Sequence, residues 1–202
     1  MKVAEKIINK PANTEYAIMQ EIRERWSPRV FSDEKISHNE LMSLFEAARW
    51  APSSNNMQPW RFVYAFKGTD EFDKLFSYLG EFNRSWVDNA QILMLCAVKT
   101  TTPDGKENFH ASHDLGLAMG NFAIQAQSMG IAVHQMAGFN HQKADKEIAQ
   151  DEEYHFVTAV AIGKYGGDIS KLPEDLQEAE QSERERKSFK EIISEGDWSD
   201  TF

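Results

Sequence analysis

A polar loop between two prolines, within the segment Ala51 to Trp60, gives the clearest structural signal in this sequence. Apolar residues recur at helical spacing before it, between residues 41 and 48, and a strand pattern over residues 61–66 follows it. Pro52 biases the preceding residue away from helical angles and so ends the helix, and Pro59 confines the bend to the start of the strand. The segment therefore predicts a helix, a short connection and a strand in direct succession.

The side chains of this loop offer many hydrogen-bonding groups. Between the prolines lie two hydroxyls, from Ser53 and Ser54, and three side-chain amides. A plain turn, in which these groups cap the backbone, is one interpretation, and the loop alone leaves it open. An upstream stretch from Arg25 to Phe31 favours a binding loop instead, because two guanidinium groups flank a hydroxyl there, just after a helical pattern.

Helix and strand patterns intersperse along the rest of the chain without strict βαβ alternation. This predicts an α+β fold with a mixed, mainly antiparallel sheet between helices. Ser37 and Glu40 form a capping box, and Gly130 closes the longest helical pattern. The predicted helices cover residues 14–25, 37–50, 70–78, 83–90, 114–129 and 140–149, and the predicted strands cover residues 61–66, 92–98, 131–135 and 158–162.

Composition and charge exclude several classes of protein. The 202 residues fit one domain over 1–202, with an N-terminal arm over 1–13. A net charge of -10 argues against a nucleic-acid or anionic-membrane partner. No apolar run approaches the ~18 residues of a membrane span, and the first residues lack a signal-peptide core, so we expect a soluble cytoplasmic protein. The lone Cys96 lies in an apolar run and is expected in the core, and the acidic residues 174–185 are expected to be solvated.

The two polar stretches together resemble the FMN-dependent nitroreductase family. The motifs are Arg-x-Ser-x-Arg at residues 25–29, here with the Arg-Trp-Ser-Pro-Arg sequence of one subgroup, and Pro-Ser-Ser-x-Asn-x-Gln-Pro-Trp at 52–60. The resemblance extends over roughly residues 15–198. It implies a three-layer sandwich and an intertwined homodimer, in which a tail of about residues 183–202 packs on the partner subunit.

The resemblance also implies roles in binding FMN. Arg25 and Ser27 would hold the phosphate, and Arg29 would lie near N1 and O2 of the ring, where a cation favours the reduced flavin. Trp26 stands where the family usually has Arg or His. The alternative is that Arg25 and Arg29 pair with acidic neighbours at the surface. Those neighbours are Glu21, Glu24 and Asp33.

Other parts of the predicted cofactor site come from loops and from the second subunit. Asn83, or a neighbour, would lie near N3 and O2 of the ring. The backbone of Gln135, Met136, Ala137 and Gly138 would face N5 and O4, with Gly138 permitting a tight turn. The loop residues Pro52, Ser53, Ser54 and Asn56 would approach the flavin from the partner subunit.

The basic residues near the C-terminus complete the predicted phosphate site. Arg184 and Arg186 match the family's basic pair, although Lys187 would take a role if the register shifts by one residue. Glu195 to Trp198 resembles the tail of the subgroup. His134 lies beside the predicted flavin turn, where a packing role is favoured over catalysis.

The function that the resemblance implies is hydride transfer from NAD(P)H, through bound FMN, to a nitroaromatic, quinone or activated alkene by a ping-pong mechanism. Because the cofactor carries the chemistry, no catalytic residue is expected. Two alternatives remain: the same fold and flavin used for dehalogenation or flavin-consuming chemistry, and a non-enzymatic protein that binds flavin or phosphate. No metal is expected, because the histidines and the aspartate of 110–114 have no further ligands at a suitable spacing.

Overall fold

The computed structural model describes residues 7–149 and 151–196. Within these ranges the chain forms α-helices and β-strands that alternate irregularly. The helices are α1 (Gln20–Glu24), α2 (His38–Arg49), α3 (Asp70–Phe76), α4 (Glu81–Val87), α5 (Ala111–Ser128), α6 (His141–Ala144) and α7 (Glu174–Gln181). The strands are β1 (Trp60–Phe66), β2 (Ile92–Lys99), β3 (Ile131–Met136) and β4 (Tyr154–Lys164).

The strands form one four-stranded sheet in the order β1-β2-β4-β3. Every strand pairing in the described residues is antiparallel. The α+β prediction is therefore confirmed, but the sheet was predicted to be mixed and no parallel pair is present among these residues. Trp60 pairs with Val98 and Phe66 with Ile92 along β1 and β2. A register shift between Cys96 and Ala97 interrupts the ladder of β2 and β4.

The sheet lies between two apolar clusters, which makes three layers. Successive residues of β2 alternate between them: Leu93 and Leu95 belong to one cluster, and Ile92, Met94 and Cys96 to the other. Strand side chains point to opposite faces in turn, so a run that is apolar at every position is buried on both sides. Cys96 is fully buried, as predicted, and burial raises the pKa of its thiol.

Helices α2 and α5 pack together on one side of the sheet. The predicted capping box is present, because Ser37 accepts a hydrogen bond from the backbone of Glu40 and the Glu40 carboxylate accepts one from Ser37. Lys164 also donates to Glu40 at 2.5 Å, and these bonds lower the pKa of Glu40 to about 2. The prediction that Gly130 closes this helix is confirmed, because it follows α5 with φ +66°, in the left-handed conformation.

Several predicted boundaries were wrong. The first helix begins at Gln20 and not near Thr14, and Met19 and Ile22 are exposed, so no buried face supports a longer helix. Strand β4 continues through Gly163, where the ring of Phe31 lies 2.6 Å from the position that a Cβ atom would take. That glycine allows close packing and does not end the strand.

The prediction that residues 174–185 are solvated was also wrong. The segment predicted to be solvated contains α7, and Leu176 and Glu180 on this helix are buried. The predicted helix over 140–149 is regular only to Ala144 and continues as a π-type turn, although Asn140 caps it as expected. The tail predicted to pack on the partner subunit, about residues 183–202, lies outside the described residues from 197 onwards.

Candidate functional site

The two basic stretches of the sequence meet at one cleft of about 200 Å³. Arg25, Ser27 and Arg29 line it from one side, and Arg184 and Arg186 line it from the segment after α7. The lining residues are Lys10, Arg25, Trp26, Ser27, Arg29, Ala179, Glu180, Arg184 and Arg186. We call this cleft the basic pocket; Lys187 is not among the residues that line it.

Hydrogen bonds hold the walls of the basic pocket together. The Arg25 guanidinium donates to Ser27 Oγ at 3.2 Å, so the two residues predicted to hold phosphate are adjacent. Arg184 Nη1 donates to the backbone carbonyls of Lys10 and Arg23, at 2.8 and 3.0 Å. Burial, with the charge of Arg25 adding to it, lowers the pKa of Arg184. The N-terminal segment and the C-terminal segment are thus tied to each other at this site.

Arg29 has an acidic partner, although not one that was considered from the sequence. Glu180 is 1% exposed, and its Oε1 accepts a 2.6 Å hydrogen bond from the backbone N–H of Arg29. Its Oε2 lies 3.6 Å from Arg29 Nη1. Burial raises the pKa of Glu180, and the hydrogen bond and charge of Arg29 oppose that effect. The position of Glu180, four residues after Leu176 on α7, is the sequence signal that could have identified it as buried.

Trp26 forms the buried wall behind the basic pocket. The Lys10 ammonium lies 4.9 Å from the centre of its ring, which is within the range of a cation–π contact. Tyr165 donates to the backbone carbonyl of Trp26 at 3.3 Å. Because Trp26 is buried and held by these contacts, its ring forms part of the pocket wall. The charged groups of the pocket come from the neighbouring residues.

His134 joins the arginine motif to the end of β3. Its Nδ1 lies 2.9 Å from the carbonyl oxygen of Pro28, which accepts the hydrogen bond and so places a proton on Nδ1. The imidazole ring lies 4.5 Å from the ring of Trp86. Burial lowers the pKa of His134 to about 4, so the ring is neutral at pH 7. These contacts support the predicted packing role.

Asn83 lies beside the turn after β3, which is the segment predicted to face N5 and O4. Its Nδ2 and the backbone N–H of Gly80 both donate to the carbonyl of Gly138, each at 2.9 Å. Gly138 has no positive φ, so a tight turn is not why glycine stands there. A Cβ atom at Gly138 would lie 2.7 Å from Asn83 Nδ2, which is the physical reason for glycine. Gln135 and Ala137 are exposed and Met136 is buried.

The loop between Pro52 and Pro59 is held by its own polar groups. Ser53 Oγ accepts from the backbone of Gln58 at 3.0 Å, and Gln58 Nε2 donates to Asn56 Oδ1 at 3.1 Å. Asn55, Asn56 and Gln58 have φ values of +50°, +53° and +48°. Such left-handed conformations are costly for residues other than glycine and are least so for asparagine. Backbone capping, the plainer interpretation of this loop, is therefore observed.

A buried carboxylate anchors the loop to α5. The backbone N–H of Ser54 donates to Asp114 Oδ2 at 3.1 Å, and Asp114 is 1% exposed. Pro52, Ser53, Ser54 and Asn56 do not line the basic pocket of their own chain. In the part of the chain that the structure describes, no three His, Cys, Asp or Glu side chains are grouped to hold a metal. The described helices also include none that is long and apolar enough to cross a bilayer.

The fold and the pocket define a three-layer α+β protein with a cationic cleft. The sequence model of the nitroreductase family matches residues 22–84 and 68–164, so the chain belongs to the nitroreductase family. A relative from Streptomyces coelicolor has a name of the NADH dehydrogenase/NAD(P)H nitroreductase type. It is 28% identical to this chain, over 78% of this chain and 86% of its own length.

Two solved structures have the same fold. A crystal structure of an oxidoreductase containing FMN matches with a TM-score of 0.85 and 32% identity, over 93% of this chain and 96% of that one. A nitroreductase from Desulfovibrio desulfuricans, in complex with FMN, matches with a TM-score of 0.69 and 24% identity, over 92% of this chain and 100% of that one. At the latter identity the likeness concerns the fold alone.

Proposed function

We propose that this chain is an FMN-dependent oxidoreductase that takes hydride from NAD(P)H and reduces nitroaromatic, quinone or activated-alkene acceptors by a ping-pong mechanism. The convergence of Arg25, Ser27 and Arg29 with Arg184 and Arg186 in the basic pocket carries this proposal. Names of relatives agree with it, since one is of the NAD(P)H nitroreductase type and one similar structure is an oxidoreductase containing FMN.

The residues around the basic pocket fit a phosphate monoester. Arginine side chains match phosphate oxygens with paired N–H donors, and Ser27 adds a hydroxyl beside Arg25. The Nε of Arg29 is buried and has no hydrogen-bond partner among the described residues. A buried donor without a partner is costly, so the ring oxygen O2, which the family resemblance places beside Arg29, would be stabilised if it accepted from this donor.

The remaining residues act by position and not by bond making. When bound, the flavin supplies the hydride chemistry, and the protein sets its orientation and the charge around it. Ala137 and Gly138 are exposed at the end of β3, where their backbone N–H groups would face N5 and O4. Asn83 holds this turn through the carbonyl of Gly138. Arg29 would stabilise negative charge on the reduced ring.

The proposal includes a homodimer with composite sites. The Pro52–Asn56 loop lies outside the basic pocket of its own chain, so its predicted role requires a second subunit. Large apolar side chains are exposed on the described surface: Trp50 is 72% exposed and Phe109 is 84% exposed. A contact with a second subunit would bury such side chains, and removing apolar surface from water stabilises an interface. Sedimentation of the purified protein would measure the assembly, and a monomer at micromolar concentration with bound FMN would contradict this part.

The decisive experiment is anaerobic reduction of the flavin. Purified protein, or protein reconstituted with FMN, is expected to be yellow, and either NADH or NADPH is expected to bleach it. Adding an acceptor without oxygen should then restore the colour, and a panel of nitroaromatics, quinones and alkenes would rank the substrates. A colourless protein that cannot be reconstituted would contradict FMN binding, whereas a yellow protein that neither nicotinamide bleaches would contradict the electron donor.

A further inference from the structure

The basic pocket contains a single carboxylate among its lining residues. Among the residues that the structure describes, five cationic side chains line the cleft, and Glu180 is the one acidic residue that does. Five like charges around about 200 Å³ repel one another when no anion is bound. The buried carboxylate therefore has an electrostatic role that a search for phosphate ligands alone does not identify.

Glu180 is connected to both sides of the pocket. Its carboxylate accepts from the Arg29 backbone at 2.6 Å and lies 3.6 Å from the Arg29 guanidinium. Its backbone carbonyl accepts from the ammonium of Lys10 at 3.1 Å. Glu180 thus contacts a cation from the arginine motif and another from the N-terminal segment, while its own helix leads to Arg184.

The ion pair of Glu180 with Arg29 is incomplete. Glu180 Oε2 and Arg29 Nε are both buried, and neither has a hydrogen-bond partner among the described residues. The 3.6 Å separation of Oε2 from Nη1 is longer than a good charge-assisted hydrogen bond. The carboxylate therefore does not satisfy Arg29 fully, and its negative charge also acts on the other cations that line the pocket. A phosphate dianion bound among those cations would be repelled by the same charge.

We propose that Glu180 is a built-in counter-ion of the basic pocket. It stabilises the clustered cations when the pocket is empty, and its negative charge weakens the binding of the FMN phosphate by those cations. The inference rests on the proposed function, because the phosphate is taken to be that of FMN. Glu180 acts through its contact with Arg29 and through the electrostatic potential of the pocket. It is therefore a positioning residue, which lowers the affinity for phosphate and stabilises the apo protein.

The test compares apo protein carrying Glu180→Gln with wild type at pH 8. Calorimetric titration with inorganic phosphate should give a dissociation constant roughly three- to tenfold lower in the variant, because one buried negative charge near the anion is removed. The apo variant should melt at a lower temperature than wild type. Saturating phosphate should raise its Tm by more than it raises that of wild type.

Two further variants keep the test independent of folding defects. Glu178→Gln removes the same charge from an exposed position on α7 and should change neither phosphate affinity nor Tm. Glu180→Met fills a similar volume without an unpaired polar atom and should also tighten phosphate binding. If either folded Glu180 variant binds phosphate as weakly as wild type, or more weakly, the carboxylate is a structural support only and the proposal is overturned.

The outcome separates this inference from the proposed function. Wild type that binds FMN tightly, together with Glu180 variants of unchanged phosphate affinity, overturns the counter-ion alone. Phosphate binding that tightens in both variants, in a protein that does not retain FMN, supports the counter-ion and contradicts the cofactor.

Discussion

The basic pocket and the Pro52–Pro59 loop were both selected by sequence motifs, yet they are stabilised in opposite ways. In the loop, hydroxyls and amides satisfy one another and the backbone over a few residues. In the pocket, cations from three distant segments meet, and one buried carboxylate partly balances them. A motif rich in hydrogen-bonding groups can therefore satisfy its hydrogen bonds within a few residues. A motif of like charges needs an oppositely charged residue or ligand to balance it.

His134 gives the largest expected effect, and it tests how firmly the arginine motif is attached to the sheet. Its pKa falls from 6.5 to about 4 on folding, so the neutral ring contributes stability above pH 6.5 that is lost as the pH falls towards 4. The loss amounts to about 3 kcal/mol at most. Urea unfolding at a series of pH values measures it. The variant His134→Gln should show a flatter pH dependence over that window, and an identical dependence would contradict the assignment.

Arg25→Ala tests the pocket side of the comparison. The variant should lose about 1.5–3 kcal/mol of FMN binding, because a charge-assisted hydrogen bond to phosphate is removed. Flavin fluorescence during dilution measures the dissociation constant. Arg23→Ala is the matched control, since Arg23 is exposed and does not line the pocket. Flavin retention equal to that of wild type would argue against phosphate binding at Arg25.

Asp114→Ala tests the loop side. Removing the buried carboxylate leaves the Ser54 N–H without its acceptor and should lower the free energy of unfolding by about 1–3 kcal/mol. Phosphate affinity should stay unchanged, because Asp114 does not line the basic pocket. His113→Ala serves as the control, since the exposed His113 ring lies 3.5 Å from Asp114. A loss of phosphate affinity in Asp114→Ala would contradict the claim that the loop and the basic pocket are stabilised separately.

Asn55 gives the smallest expected effect and measures the strain that the loop carries. With φ +50°, alanine at this position should cost about 1 kcal/mol, whereas Asn55→Gly should be close to neutral. Thermal unfolding of the two variants side by side measures the difference. Equal stabilities would mean that the left-handed conformation costs nothing there.

Local physics explains which parts of the fold were predictable. The capping box at Ser37 and the apolar run of β2 predicted their elements to within a residue or two, because caps and burial on both faces act over short stretches. The helix from Thr14 was wrong because amphipathic spacing there is not matched by a surface to pack against. Gly138 was identified correctly as special, but its reason is the close approach of Asn83.

The site shows the same division. The residues predicted to bind phosphate were found by resemblance, and the structure brings them to one cleft. Lys10 and Glu180 were missed, since an arm without periodicity and an acidic tail look like solvated chain in the sequence. The helical spacing of Leu176 and Glu180 was the available signal that both face inward, and the structure shows both residues buried.

The sequence by itself determined the order of helices and strands as far as β4, the two-sided burial of the sheet and the family to which the chain is similar. These follow from periodicity, caps and short motifs, which operate between near neighbours. The tertiary structure decided that Arg29 pairs with Glu180 and that Arg184 holds the backbone of Lys10. Such contacts join segments far apart in the chain, and their geometry exists only once the sheet and its helices have packed.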